Sequence, residues 1–250
     1  MYLRRTLFNL TKKYAVLYLN CVQQQSLHSY YVDKNYVPSL IVIHALRYSS
    51  DSSLKCWNCN FTHKSDLFCS KCKVLQVPPE NVTYFDIMAI SKSYDVTFLD
   101  VQKKYKELQK QLHPDKFSNK SEKEKQLSET LSSLVNEAYS TLIHPLKRGL
   151  YMLKLNGITI SEGTDNVDPE FLMELMEKNE EIDDAEDNEE KINKLVQDNQ
   201  SVLNKLTMEI ANAFRQNDIK KAEALLIRMK YYDTINNRLK KLKHDLGIIE

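Results

Sequence analysis

Phe98-Leu-Asp-Val-Gln-Lys-Lys-Tyr-Lys-Glu-Leu-Gln-Lys-Gln-Leu-His-Pro-Asp-Lys-Phe117 reads as a helix that breaks at a proline. Phe98, Val101, Tyr105, Leu108 and Leu112 recur at steps of three and four, which lays one apolar stripe along a helix and demands a partner to bury it. Thr97, followed three residues later by Asp100, fits a capping box, so the spacing predicts a start near residue 97. Pro114 ends the helix near Leu112, because proline lacks the amide donor and disfavours helical geometry in its predecessor. Lys103, Lys106 and Lys110, with Lys104 beside them, fall away from the stripe and form a positive ridge. Such a ridge is ordinarily a solvated face. Here it runs directly into His113-Pro114-Asp115, which favours a contact surface.

Beyond a polar loop, Leu127, Leu131, Leu134, Val135, Ala138, Tyr139 and Leu142 form a second stripe of the same period. Two helices joined by a short loop pack antiparallel. Tyr84, Phe85, Ile87, Met88 and Ile90 can close that small core from the N-terminal side, and 145–157 reads as a connecting helix. The result is a helical module over 82–156, followed by a loop.

Three more helical patterns follow, carrying Phe171, Leu172, Leu175, Met176 and Ile182, then Ile192 to Phe214, then Ala222 to Leu242. They predict a three-helix bundle over 168–246 with its own core. Between Asp165 and Glu190 thirteen acids stand against Lys178 alone, a segregation that the net charge of +1 for the whole chain hides. The plain reading of that run is a solvated face with an acidic turn.

Upstream, Cys56-Trp-Asn-Cys59 and Cys69-Ser-Lys-Cys72 are two CxxC pairs, expected within a small module over 52–76. Cys56, Cys59, Cys69 and Cys72 match a closed tetrahedral zinc site, with Lys55, Lys64, Lys71 and Lys73 placed to offset thiolate charge. A pair of disulfides or redox-active CxxC motifs are the alternatives. Trp57 and Phe68 suit packing around a metal better than stacking on bases, because so small a unit lacks another core. Cys21 is the only other cysteine, which fits a reducing compartment better than a disulfide framework.

The first residues are basic. Between Met1 and Val32 stand Arg4, Arg5, Lys12 and Lys13 with no acid, so 1–40 is expected to be a mitochondrial presequence, the alternative being an incidental basic tail. No apolar run approaches membrane-spanning length, so a soluble protein is expected.

The stretch 98–117, together with Val135-Asn-Glu-Ala-Tyr-Ser-Thr-Leu142, resembles a J-domain, and the whole chain is similar to the HscB family of iron-sulfur cluster co-chaperones. Two CxxC pairs ahead of the J-domain look like the animal type, since bacterial members usually lack them. The resemblance implies that His113, Pro114 and Asp115, with Lys103, Lys106 and Lys110, dock on a mitochondrial Hsp70 and stimulate its ATPase. Proline would limit the entropy lost on docking, His113 can hydrogen-bond through either ring nitrogen, and Asp115 suits a bidentate arginine. A plain helix-end cap is the other reading of His113. The resemblance also implies that the first bundle helix presents Leu172, Met173, Met176, Glu177 and Glu180 to the cluster-assembly scaffold, joined by Tyr231 of the last helix. Leu172 and Met176 could instead be core, and Tyr232 lies next to Tyr231. Cluster-recipient proteins are the implied downstream partners, in the mitochondrial matrix; a cytosolic pool and a homodimer stay open.

Four glycines cannot build a dinucleotide fingerprint or a phosphate loop, and no HExxH occurs, so an enzyme is not expected. The expectation is an all-α chain: a tetracysteine zinc module, a J-domain and a three-helix bundle. The competing reading is a zinc-ribbon nucleic-acid-binding protein, against which stand the near-neutral charge and the acidic bundle. A thiol oxidoreductase is a weaker third.

Overall fold

The computed structural model describes residues 54–63, 67–160, 168–185 and 188–247. The expected presequence, Cys21 and Lys64 lie outside them. All described residues belong to one unit, 51–160 with 166–250.

The chain enters through a two-stranded antiparallel ribbon, β1 (Leu54–Lys55) and β2 (Thr62–His63), pairing Leu54 with His63 and Lys55 with Thr62. An isolated bridge joins Phe68 to Leu75. Every later element is helical, so the all-α class holds with this one small ribbon added by the cysteine module.

Helix α1 (Tyr84–Ile87) starts at Thr83, whose side chain accepts from the Asp86 amide while Asp86 accepts from the Thr83 amide, a complete capping box. Helix α2 (Phe98–Leu112) starts where expected: the Asp100 N–H donates to the Thr97 hydroxyl at 3.1 Å. A single 3₁₀ turn, Pro114–Phe117, follows, and then α3 (Glu122–Leu142), capped by Ser121. Helices α2 and α3 are antiparallel. Near one end the Ser128 hydroxyl donates to the Leu112 carbonyl at 2.7 Å, satisfying a group the helix terminus leaves open. Further along, Tyr105 donates to Asn136 at 3.0 Å and stacks on Tyr139 at 4.1 Å. Val101 and Leu112 are buried against Leu131, Val135, Ala138 and Leu142, with Phe85, Ile87 and Met88 closing the core. Phe98 departs from the expected stripe and is 52% exposed. It sits in the first turn of α2, at the margin of the stripe on the side of half-buried Tyr105.

Helix α4 (Pro145–Leu155) joins the module to α5 (Pro169–Asp183), α6 (Glu189–Arg215) and α7 (Ile219–Asp245). Helices α6 and α7 form a long hairpin that turns at Asn217, held at φ 55°. The expectation of a separate bundle core is corrected: α4 packs on α7, and one continuous apolar core runs from Leu75 through Met152 and Leu153 to Leu239. Gly149 makes this approach feasible, since a Cβ there would run into the Leu226 side chain. Beside it, buried Arg148 donates to the Leu142 carbonyl at 2.5 Å and lies 4.8 Å from the Tyr94 ring. Tyr94 stacks in turn on Phe214 of α6 at 5.5 Å, and Arg215 pairs with Asp95 at 3.3 Å.

Candidate functional site

The loop after α2 is a framed loop with exposed tips. His113 ends α2 and begins the 3₁₀ turn; its Nδ1 accepts from the Asp115 amide at 3.4 Å and lies 3.4 Å from an Asp115 carboxylate oxygen. Capping and contact are therefore compatible roles, because only Nδ1 is engaged among the described residues. The Asp115 side chain is 89% exposed, whereas Phe117 is buried and anchors the turn. On the ridge, Lys103, Lys106 and Lys110 are exposed and make no ion pair among the described residues, while Lys104 pairs with Glu107 at 3.4 Å. A preformed loop beside uncommitted positive charge can bind an acidic surface at little ordering cost.

The four cysteines come together as the CxxC spacing requires. All four Sγ atoms lie within 4.8 Å of one another, with Cys56 to Cys72 at 3.5 Å and Cys59 to Cys69 at 3.8 Å. A tetrahedral zinc with Zn–S bonds of ~2.3 Å would hold its sulfurs about 3.8 Å apart, so the donor set fits a closed metal site. The four are free thiols, and their Sγ separations of 3.5 Å (Cys56–Cys72) and 3.8 Å (Cys59–Cys69) are longer than a disulfide bond. Burial opposes ionisation of Cys56, but the amides of Cys59 and Asn58 outweigh it and bring the thiol down to about 6. At Cys59 the Phe61 amide favours the thiolate, but burial and the surrounding sulfurs prevail and push it up to about 12. At Cys69 the Cys72 amide likewise favours the thiolate and lowers the thiol; a dication would hold all four sulfurs as thiolates.

Sequence reasoning missed Gln76, which is buried and donates to Cys56 Sγ at 3.4 Å as well as to the Val74 carbonyl at 2.8 Å. Glutamine carries no spacing signal, so only the fold could reveal this support. Trp57 packs as expected rather than facing solvent as a stacking platform: its indole N–H donates to the Leu75 carbonyl at 2.6 Å. Its ring also lies under Lys123 of α3, at 4.2 Å from Nζ, which nothing in the sequence announced. Lys71 stands over Phe61 at 5.7 Å, and Lys55 and Lys73 are exposed.

On α5 the structure divides the acids. Glu174 accepts from the Tyr232 hydroxyl and pairs with Arg228 at 3.4 Å, while Asp183 pairs with Arg238; these groups fasten α5 to α7. Burial, and then the Glu174 carboxylate, keep the Tyr232 phenol protonated well above its ordinary range. Glu177 and Glu180 remain exposed. Of the apolar positions, Phe171, Leu175 and Ile182 face the core, whereas Leu172 is 41% and Met173 63% exposed, with Met176 half-buried. Residues 172, 173, 176, 177 and 180 share one helical face. Tyr231 is half-buried and meets Phe171 edge-on at 5.8 Å, while Tyr232 is buried.

No helix among the described residues is long and apolar enough to cross a membrane. Two family models match the chain: the DnaJ domain over residues 83–151 and the HSCB C-terminal oligomerisation domain over 167–240. The helical hairpin with its exposed His-Pro-Asp loop is thus that of a J-domain protein. The chain is 42% identical over 199 residues to the mouse iron-sulfur cluster co-chaperone protein HscB, a match covering 77% of this chain and 84% of that protein. The human protein of the same name is 39% identical over 196 residues, covering 76% and 82%. The crystal structure of human co-chaperone protein HscB aligns with a TM-score of 0.71 at 38% identity, over 76% of this chain and 98% of that one. The chain belongs to the HscB family of iron-sulfur cluster co-chaperones. Both relatives are named as co-chaperones.

Proposed function

We propose that this co-chaperone binds the iron-sulfur cluster assembly scaffold on α5, carries it to mitochondrial Hsp70, and stimulates the Hsp70 ATPase so that the cluster passes to recipient proteins. The observation that carries this reading is the His113-Pro114-Asp115 loop, framed by the 3₁₀ turn and flanked by Lys103, Lys106 and Lys110, which make no ion pair among the described residues. Lys103, Lys106 and Lys110 steer the encounter with an acidic surface, which makes binding weaken with salt. Asp115 then offers its carboxylate to an arginine, with His113 beside it. The chain itself performs no covalent step; the hydrolysis belongs to its partner.

Leu172, Met173 and Met176, rimmed by Glu177 and Glu180 and flanked by Tyr231, form the scaffold surface: an apolar centre with an acidic border. Zinc occupies the tetracysteine module as a structural ion, since four thiolates leave it no open position for a substrate. The mitochondrial matrix is the site of action, an address that rests on the basic, acid-free start of the chain.

Replacing Asp115 by Asn tests the loop. Because the side chain is almost fully exposed, the melting temperature and scaffold affinity should stay unchanged while stimulation of the Hsp70 ATPase disappears. Stimulation equal to that of the unmodified chain would remove the loop from the mechanism.

A further inference from the structure

The cysteine module meets the J-domain through more than the polypeptide that joins them. Trp57 lies between Cys56 and Cys59, in a tight turn where the Cys56 amide donates to the Phe61 carbonyl at 2.9 Å and the Asn60 amide donates to the Cys56 carbonyl at 2.9 Å. The indole is fixed at one edge by the Leu75 carbonyl, and its face carries the Lys123 ammonium at 4.2 Å. Lys123 belongs to the first turn of α3, directly after the Ser121 cap. That turn is the far abutment of the loop whose near abutment is the end of α2. Between them, Phe117 is buried and the 3₁₀ turn rests on α3. One run of contacts therefore leads from two cysteine ligands, through one indole ring, to the segment that supports His113-Pro114-Asp115.

Neither Trp57 nor Lys123 can ligate the metal, and neither lies within the His-Pro-Asp tripeptide. A lysine at an exposed helix start would ordinarily extend into water; here it is turned onto an aromatic face. The turn that presents the ring has little apolar core of its own, so its shape depends on the four sulfurs being held together.

We propose that Trp57 and Lys123 are positioning residues that brace the start of α3 against the metal-bearing turn, so that metal occupancy sets how firmly the His113-Pro114-Asp115 loop is held for its partner. With the metal bound, the Cys56–Cys59 turn presents the indole and Lys123 is held. When the metal is removed, the turn loosens, the cation loses its aromatic face, and the first turn of α3 and the adjoining loop open more often. A contact of this kind at an exposed site shifts such an equilibrium roughly two- to five-fold, so the module tunes the loop without switching it. The consequence for Hsp70 rests on the function proposed above; the effect on the loop does not.

The full chain provides its own reporter, because Trp57 is its only tryptophan. Zinc-loaded and chelated protein, with Lys123→Met and Lys123→Arg, should be compared by Trp57 fluorescence and by amide hydrogen exchange across 114–128. Chelation and Lys123→Met should each alter the emission and raise exchange in 114–128 roughly two- to five-fold, and Lys123→Arg, which keeps the cation over the ring, should restore both. In Lys123→Met, chelation should add nothing further at the loop. The concentration giving half-maximal ATPase stimulation should rise by the same factor while the maximal rate stays. Exchange across 114–128 that ignores both chelation and Lys123→Met would overturn the brace, whatever Hsp70 does. Exchange that responds while Asp115→Asn still stimulates would keep the brace and reject the docking role of the loop.

Discussion

Two residues that differ by one position, Tyr231 and Tyr232, show how the fold assigns work that the sequence left shared. Tyr232 is buried and spends its hydroxyl on Glu174, whereas Tyr231 lies half-buried at the edge of Phe171, beside the exposed face of α5. Tyr232→Phe should therefore cost about 1.5–3 kcal/mol in a denaturant titration, as expected for losing a hydrogen bond to a charged acceptor, and leave ATPase stimulation intact. Gly149 is equally specific. Alanine there gains up to about 1 kcal/mol of helix propensity but forces the buried Leu226 aside, at about 1–3 kcal/mol, so the net should be destabilising. A double-mutant cycle with Leu226→Ala checks the cause: the pair should be less damaging than the sum of the single changes.

At the scale of the element, helix α5 carries three jobs on one turn-by-turn pattern. Phe171, Leu175 and Ile182 hold it to the core, Glu174 and Asp183 fasten it to α7, and Leu172 and Met173 face outward. Changing Leu172 and Met173 together to serine should alter stability by no more than about 0.5 kcal/mol each, because exposed side chains carry little folding energy. Scaffold affinity should fall about tenfold or more, if these two are the centre of that surface. Met176→Ser should affect both quantities, since this side chain is half-buried. Helix existence and core faces on α2, α3 and the bundle, and the Thr97 cap of α2, were legible because periodicity and capping chemistry are local. Phe98 escaped that logic, since a period identifies a face but not how far the neighbouring helix extends to cover it. Arg148 had no signal at all: its burial depends on a carbonyl six residues upstream and on the distant Tyr94 ring. That the four cysteines come together was legible from spacing; Gln76 and Lys123, which contact Cys56 and Trp57, were not.

For the whole molecule, the periodic stripes announced two helical bodies without revealing that they share one core through α4 and α7. Pairing between distant helices is a property of shape, here of the missing side chain at Gly149, and no local pattern encodes it. The cysteine module, by contrast, contributes no helix among the described residues, so chelating a metal bound there should change Trp57 emission while leaving the helical circular dichroism nearly intact. A large loss of helix on chelation would mean that the metal organises the core.

In the proposed function, one chain joins a scaffold-binding face on α5 to an ATPase-stimulating loop after α2. Single-turnover ATP hydrolysis by mitochondrial Hsp70, measured with the full chain in the presence and absence of scaffold, tests it most directly. The unmodified chain should accelerate hydrolysis, and scaffold should add to that acceleration. Asp115→Asn should abolish both, while the Leu172→Ser, Met173→Ser double variant should keep the first and lose the second at limiting scaffold. Full acceleration by Asp115→Asn, or an undiminished scaffold increment in the double variant, would contradict the account.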